Sequence, residues 1–413
     1  MATDIKDTIH PLDSAAVMSL LGARPRLLAL GEPTHGAETL LGLRNELFRQ
    51  LVEHEGYRTI ALETDCMMGL LVDGYVTGEG DPGVGLDEVM ARGFSHEWGA
   101  FPANRELVAW MRAYNEGRPA SDRLRFAGFD GPLEITGAAS PRPVLTALHD
   151  YLSARIDAGL LPCTAAVLDR LIGEDARWTD PEAMMDPSRS VGQSAEAREL
   201  RLLADDLVAL LDAHAPHLRA TSSPDDWDRA LLYGRTATGL LRYHFWMAEP
   251  SPSRMTLLLG VRDSMMAANL LALAERGPVL VNAQNAHLQR GLSTMSMWDH
   301  PRLEWWGAGA LVSARLGREY AFLATALGTI RHQGVDAPPS DTVEGLLYEL
   351  GEDRFVVDAP RLAAALGTDP GGAGPGAALP AARVSPWFGY SPLDPAHLAD
   401  DDGIVFVRDV QPG

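Results

Sequence analysis

Residues 26–65 constrain this chain more than any other stretch; they read RLLALGEPTHGAETLLGLRNELFRQLVEHEGYRTIALETD. An apolar run at 27–30 stops at Gly31, and Glu32, Pro33, Thr34, His35 and Gly36 follow. Leu40, Leu43, Leu47 and Leu51 then recur at spacings of three and four, one face of an α-helix. A second apolar run at 59–62 ends in Glu63 and Asp65. The pattern is strand, polar turn, helix, strand, with acid and base residues at both carboxyl ends. In open parallel α/β sheets that edge is where ligands bind. The fold class expected is therefore α/β, a central mostly parallel sheet flanked by helices.

The rest of the chain extends this reading. A short helix is expected over 13–21, and helices over 66–75, 86–92 and 105–115. An aromatic loop spans 94–101 and carries Trp98 and Phe101 as candidate pocket walls. A strand over 123–129 ends at Asp130. From 141 to 276 the pattern is almost wholly helical, with helices expected at 143–159, 163–173, 195–214, 225–247 and 254–276 and a long polar loop at 174–193. A fourth strand, PVLVNA at 278–283, runs into Gln284, Asn285, Ala286 and His287. Strands at 320–326, 355–357 and 404–408 and helices at 308–316, 343–350 and 360–366 complete the alternation, and a Gly/Pro/Ala-rich loop is expected at 368–382. The organisation expected is a first core part at 1–135, a helical insertion over the cleft at 136–275 and a second core part at 276–413.

Charge and motifs then exclude some functions. The net charge of −21 disfavours nucleic acid and anionic membrane surfaces as partners. Two cysteines give no disulfide framework. No signal-peptide pattern and no bilayer-length apolar stretch is read, so a cytoplasmic monomer or homodimer acting on a small molecule is expected. There is no GxSxG elbow, no GxGxxG after the first strand and no phosphate-loop lysine motif, so no cofactor is expected.

The chemistry-bearing residues gather at strand ends. A carboxylate at Glu32 beside the His35 imidazole orients the ring and raises its basicity, which makes a general base near neutral pH. Glu63 and Asp65 add carboxylates whose crowding separates acid from base. Arg44 is placed to neutralise part of that charge. Alternatives on the same residues are a helix cap at Thr34 with a structural histidine beside it, and a zinc cluster of Glu32, His35 and His287. Arg262 and Asp263 read as a surface ion pair.

The residues also resemble a known family. LLALGEPTHGAETLLGLRNELFRQLVEHEGYRTIALE is similar to the opening motif of the erythromycin esterase-like family, with WMRAYN at 110–115, GFD at 128–130, RDSMMAAN at 262–269 and VLVNAQNAHLQR at 279–290 agreeing in order. The resemblance implies an α/β core with a helical cap. It implies His35 as general base assisted by Glu32, with Glu63 and Arg44 in the same cleft, and direct activation of water without a covalent nucleophile or an obligatory metal. His287 joins the catalytic set; Asp65, Trp98, Gln284, Asn285, Arg44 and Arg262 are the candidate substrate contacts.

One position departs from the family pattern: its usual His-Asn-x-His is Gln284-Asn285-Ala286-His287 here. Glutamine carries no titrating proton. With the extra acid at Asp65, this favours an amine-bearing secondary metabolite and an intramolecular displacement that closes a small aza ring, such as an aziridine. Hydrolysis of a macrolide lactone or another ester is the alternative, and a non-catalytic metabolite-binding protein is the third.

Overall fold

The computed structural model describes residues 5–297, 300–367, 380–384 and 389–411. Eight strands form one sheet: Ile9–His10 (β1), Leu27–Glu32 (β2), Thr59–Asp65 (β3), Arg125–Asp130 (β4), Val279–Gln284 (β5), Tyr320–Thr329 (β6), Arg354–Asp358 (β7) and Gly403–Asp409 (β8). Their order is β1-β7-β8-β6-β2-β5-β3-β4. β6 is parallel to β2 and β8, and β5 is parallel to β2 and β3. β7 is antiparallel to β1 and β8, so the sheet is mixed but mostly parallel, as the alternation of elements implied.

Every residue of β2 and β5 is buried, which is why both read as apolar runs rather than alternating ones. Helix α1 (Glu38–His54) packs Leu40, Leu47, Phe48 and Leu51 on Leu28, Leu30, Ile60, Leu62 and Leu280. Helix α2 (Pro102–Asn115) adds Leu107, Val108 and Met111 to the same core. Each such side chain contributes roughly 1.5–3 kcal/mol on burial.

Contacts divide the chain into two compact units. One holds Met1–Thr64, Met68–Gly128 and Leu270–Gly413; the other holds Asp65–Met67 and Phe129–Asn269. The second unit is built mainly of α3 (Arg142–Ser153), α4 (Ala165–Ile172), α5 (Ala195–Ala213), α6 (Pro224–Met247) and most of α7 (Arg254–Ala274). Its helices start where the sequence supplies caps: Thr164, Ser194 and Ser223 each accept a backbone N–H of the first turn. The 174–193 loop is held in short 3-10 turns, and Arg142 ties it down through Asp169, Asp175 and the Gly173 carbonyl.

Four expectations need correction or completion. α7 is long and apolar enough to cross a membrane by length and composition, contrary to the sequence reading; half of that apolar window is buried, and it carries the fully buried Asp263. The helix expected at 143–159 stops at Ser153, and an Asp157-capped 3-10 turn follows. A hairpin of Leu292–Met297 and His300–Trp306 and a helix at Ala215–Thr221 were not read from the sequence. The loop expected at 368–382 lies outside the described residues, apart from 380–382.

Candidate active site

The chain passes from β2 to β3 while leaving a place between them, and β5 fills it much later in the sequence. The parallel register sets Glu32 beside Gln284, and Leu62 opposite Asn282. The carboxyl ends of all three strands therefore meet, which brings Glu32, Glu63 and the 284–287 segment to one edge.

Glu32 is buried, and its Oε1 lies 2.7 Å from His35 Nδ1. A carboxylate only accepts, so Nδ1 carries the proton and Nε2 presents its lone pair. No hydrogen bond to Nε2 is found among the described residues, and the side chain is 37% exposed. Burial disfavours the charged ring, but the Glu63 charge and the hydrogen bond and charge of Glu32 outweigh it, even against His287. The net result is a His35 pKa above the usual histidine value. Gly36, at φ +74°, turns the chain toward α1, and a Cβ there would meet Phe101 at 2.8 Å. The helix is capped at Ala37 without a side-chain bond, so the Thr34-cap alternative does not hold.

Trp98 closes one side, with its ring centroid 5.2 Å from that of His35. The two residues before it, His96 and Glu97, both sit at positive φ, 56° and 60°. Such backbone costs roughly 1–2 kcal/mol per residue. It is held here in the loop that delivers Trp98.

A second carboxylate–imidazole pair lies alongside. Glu63 Oε1 is 3.4 Å from His287 Nε2, and both side chains are almost wholly buried. Glu63 Oε2 accepts the backbone N–H of Gln284 at 2.9 Å. The Gln284 amide donates to the Gly389 carbonyl at 2.6 Å. Asn285 spends both amide functions on Thr325, donating to its carbonyl at 2.8 Å and accepting its N–H at 3.1 Å. It joins β5 to β6, and neither of its amide functions is left to face a ligand.

Arg44 is 1% exposed and, among the described residues, pairs with no carboxylate. Its guanidinium donates to the amide oxygens of Asn45, Asn104 and Asn282, three of those bonds at 2.8–3.1 Å and the Asn282 bond at 3.3 Å. Asn104 in turn donates to the Trp98 carbonyl, and Asn282 to the Leu30 carbonyl. Burial lowers the Arg44 pKa to about 10, against the charges of Glu32 and Glu38 that raise it. Arg44 thus ties α1, the Trp98 loop and β5 together from beneath.

Two further candidates belong to the helical unit. Asp65 accepts the Met67 N–H at 2.6 Å and starts the helix Cys66–Thr77. Arg262 forms a bidentate pair with the fully buried Asp130, through Nη2–Oδ2 at 2.7 Å and Nε at 3.1 Å from both oxygens. Since Asp263 is fully buried, the surface pair read between Arg262 and Asp263 does not hold. Cys66 is buried too; burial, Asp65 and Asp130 push its thiol up to about 12, so it is no thiolate nucleophile near neutral pH. Among the described residues no group of three or more His, Cys, Asp or Glu is arranged to hold a metal ion, so the zinc cluster weighed above is not formed.

The sequence reading missed Asn45, Asn104 and Asn282, the Gly389 carbonyl, and Ser391, whose N–H donates to the Pro33 carbonyl at 2.7 Å. The available signal was Asn282 itself, an amide inside a buried strand where such residues are depleted.

A family model described as erythromycin esterase matches residues 52–410. Erythromycin esterase type II of Escherichia coli is 28% identical over 127 residues, 30% of this chain. That match spans only 27% of the relative's own length. Among solved structures, a Bacillus cereus protein is 17% identical with a TM-score of 0.73, over 100% of this chain and 97% of its own. A succinoglycan biosynthesis protein is 16% identical with a TM-score of 0.69, over 100% and 97%. A mutant of erythromycin esterase EreC in its open conformation is 18% identical with a TM-score of 0.67, over 97% and 93%. At these identities the solved structures establish the fold alone.

Proposed function

We propose a reaction from one established premise: the chain belongs to the erythromycin esterase family. The protein is a general acid–base enzyme for a small polar metabolite, with His35 as base and Glu32 as the group that orients and strengthens it. The 2.7 Å Glu32–His35 contact carries this reading, because it fixes the tautomer and leaves Nε2 of a partly open ring able to take a proton. The Glu63–His287 pair supplies a second proton-bearing site at 3.4 Å.

The favoured reaction is intramolecular displacement on an amine-bearing substrate. The amine nitrogen attacks a neighbouring carbon that carries a sulfate or phosphate ester. The N–C bond forms and the C–O bond breaks, the nitrogen's proton passes to His35, and the leaving group departs as its own anion. No proton donor is needed for departure, which suits a site with a neutral, hydrogen-bonded Gln284 at the end of β5. The second reading is ester hydrolysis, favoured by family membership. Water attacks the carbonyl, His35 takes its proton, and the leaving alkoxide takes one from His287.

Mass spectrometry separates the two. Erythromycin gaining one water supports hydrolysis; a vicinal amino-alcohol sulfate losing sulfuric acid supports ring closure. Either activity should vanish in a folded His35→Ala variant, and activity retained there refutes the base assignment.

A further inference from the structure

Outside the acid–base edge, the helical unit holds a cavity of about 340 Å³ between α5 and α6. Arg198 and Arg201 line it from α5 and Arg242 from α6, with Thr238 and Leu241 on the floor side. In a chain of net charge −21, three guanidinium groups face one small space. None of the three forms an ion pair or donates a hydrogen bond among the described residues. Asp205, one turn on from Arg201, shares the lining but closes no ion pair on any of them.

Arg201 is the most constrained. Its guanidinium carbon lies over the Phe245 ring, 4.5 Å from the centroid, a cation–π contact that uses none of its N–H donors. Burial and the Arg242 charge both lower its pKa, the mark of like charges brought together without a counter-ion. An arginine edge is matched to tetrahedral oxyanions, which it engages by paired hydrogen bonds. The cavity volume is at the small end for ligand sites, which fits a small molecule and not a polymer.

We propose that this cavity is an anion site for a small phosphate- or sulfate-bearing molecule with an apolar body, bound by Arg198, Arg201 and Arg242. It is independent of the acid–base chemistry at His35. Leu241 and the 69% exposed Leu202 receive the apolar part.

Isothermal titration of the full chain with phenyl phosphate, and separately with phenyl sulfate, tests this. Saturable binding is expected that weakens about tenfold in Arg201→Met and in Arg242→Met and falls as salt rises. Tighter phosphate than sulfate assigns a dianion, and the reverse assigns a monoester sulfate. His35→Ala should bind as the parent does. No saturable binding of either probe overturns the proposal, as does binding that survives both arginine variants or is lost in His35→Ala. Since Arg242 is exposed and Arg201 only half-buried, circular dichroism of the two variants should match the parent, and the test does not hinge on folding.

Discussion

Replacing Glu32 with Gln tests the base assignment without any substrate. The glutamine carbonyl still accepts the Nδ1 proton of His35 at the same place, so the geometry at 2.7 Å is kept while the charge is removed. A hydrogen bond to a charged partner contributes about 1.5–3 kcal/mol and a neutral one about 0.5–1.5. The difference, about 1 to 1.5 kcal/mol, corresponds to roughly one pH unit. The His35 midpoint, raised in the parent, should therefore fall by about that much. Carbon-13 labelled histidine followed by NMR across pH reads the midpoint directly, with the His35→Ala spectrum assigning the resonance. Glu63→Gln should lower it too, since the Glu63 charge is the largest influence holding it up. Because the folded ring is the more basic, its contribution to stability is complete below pH about 6.5 and fades as pH rises through the folded value. Activity should follow the opposite course, rising with pH as the ring becomes neutral. A midpoint that stays put in Glu32→Gln would refute the claim that the carboxylate tunes this base.

Three other perturbations follow from the packing. Arg44→Met keeps most of the side-chain volume but strips donors from the amide oxygens of Asn45, Asn104 and Asn282; a loss of about 3 kcal/mol or more is expected by urea titration, and a variant as stable as the parent would show the network to be incidental. Gly31→Ala places a Cβ 2.0 Å from Asn285 Oδ1, so Asn285 must leave Thr325, and thermal unfolding should come several degrees lower. Burial lowers the His244 pKa to about 4 while its ring N–H donates to the Ala139 carbonyl at 2.8 Å. The protein should therefore lose about 3 kcal/mol between pH 6.5 and 4 that a His244→Gln variant does not lose, as read by denaturation at each pH.

The fold class was legible because parallel strands covered on both faces leave unbroken apolar runs, and α1 leaves a clean three–four spacing. The Glu32–His35 turn was legible for the same reason: it is local, three residues apart on one strand-to-helix connection. What escaped was everything that needs residues distant in sequence. Beyond its neighbour Asn45, the Arg44 cradle draws on positions 104 and 282, and Gln284 ends on the carbonyl of residue 389. No spacing rule connects such positions; only the tertiary fold does. The structural partners of Asp65 and Arg262 were equally hidden: the carboxylate after the strand also starts a helix, and the arginine beside an aspartate in sequence pairs with Asp130, more than a hundred residues away.

The departure at Gln284 is tolerable for a reason visible in the backbone. Glu63 is held by the main-chain N–H of residue 284, a donor that every residue except proline supplies. Its neighbour has no such latitude, because Asn285 uses donor and acceptor together on Thr325 and rests against Gly31, where no Cβ fits. Position 284 can therefore change its side chain while both carboxylate–imidazole pairs keep their places. What changes is the number of protons the site can move. A histidine there would add one; glutamine instead spends its amide on the Gly389 carbonyl and fastens the C-terminal segment to the strand end. In the proposed displacement the leaving group departs as an anion and needs no proton, so a glutamine at position 284 is compatible with it while Glu32, His35, Glu63 and His287 keep their places.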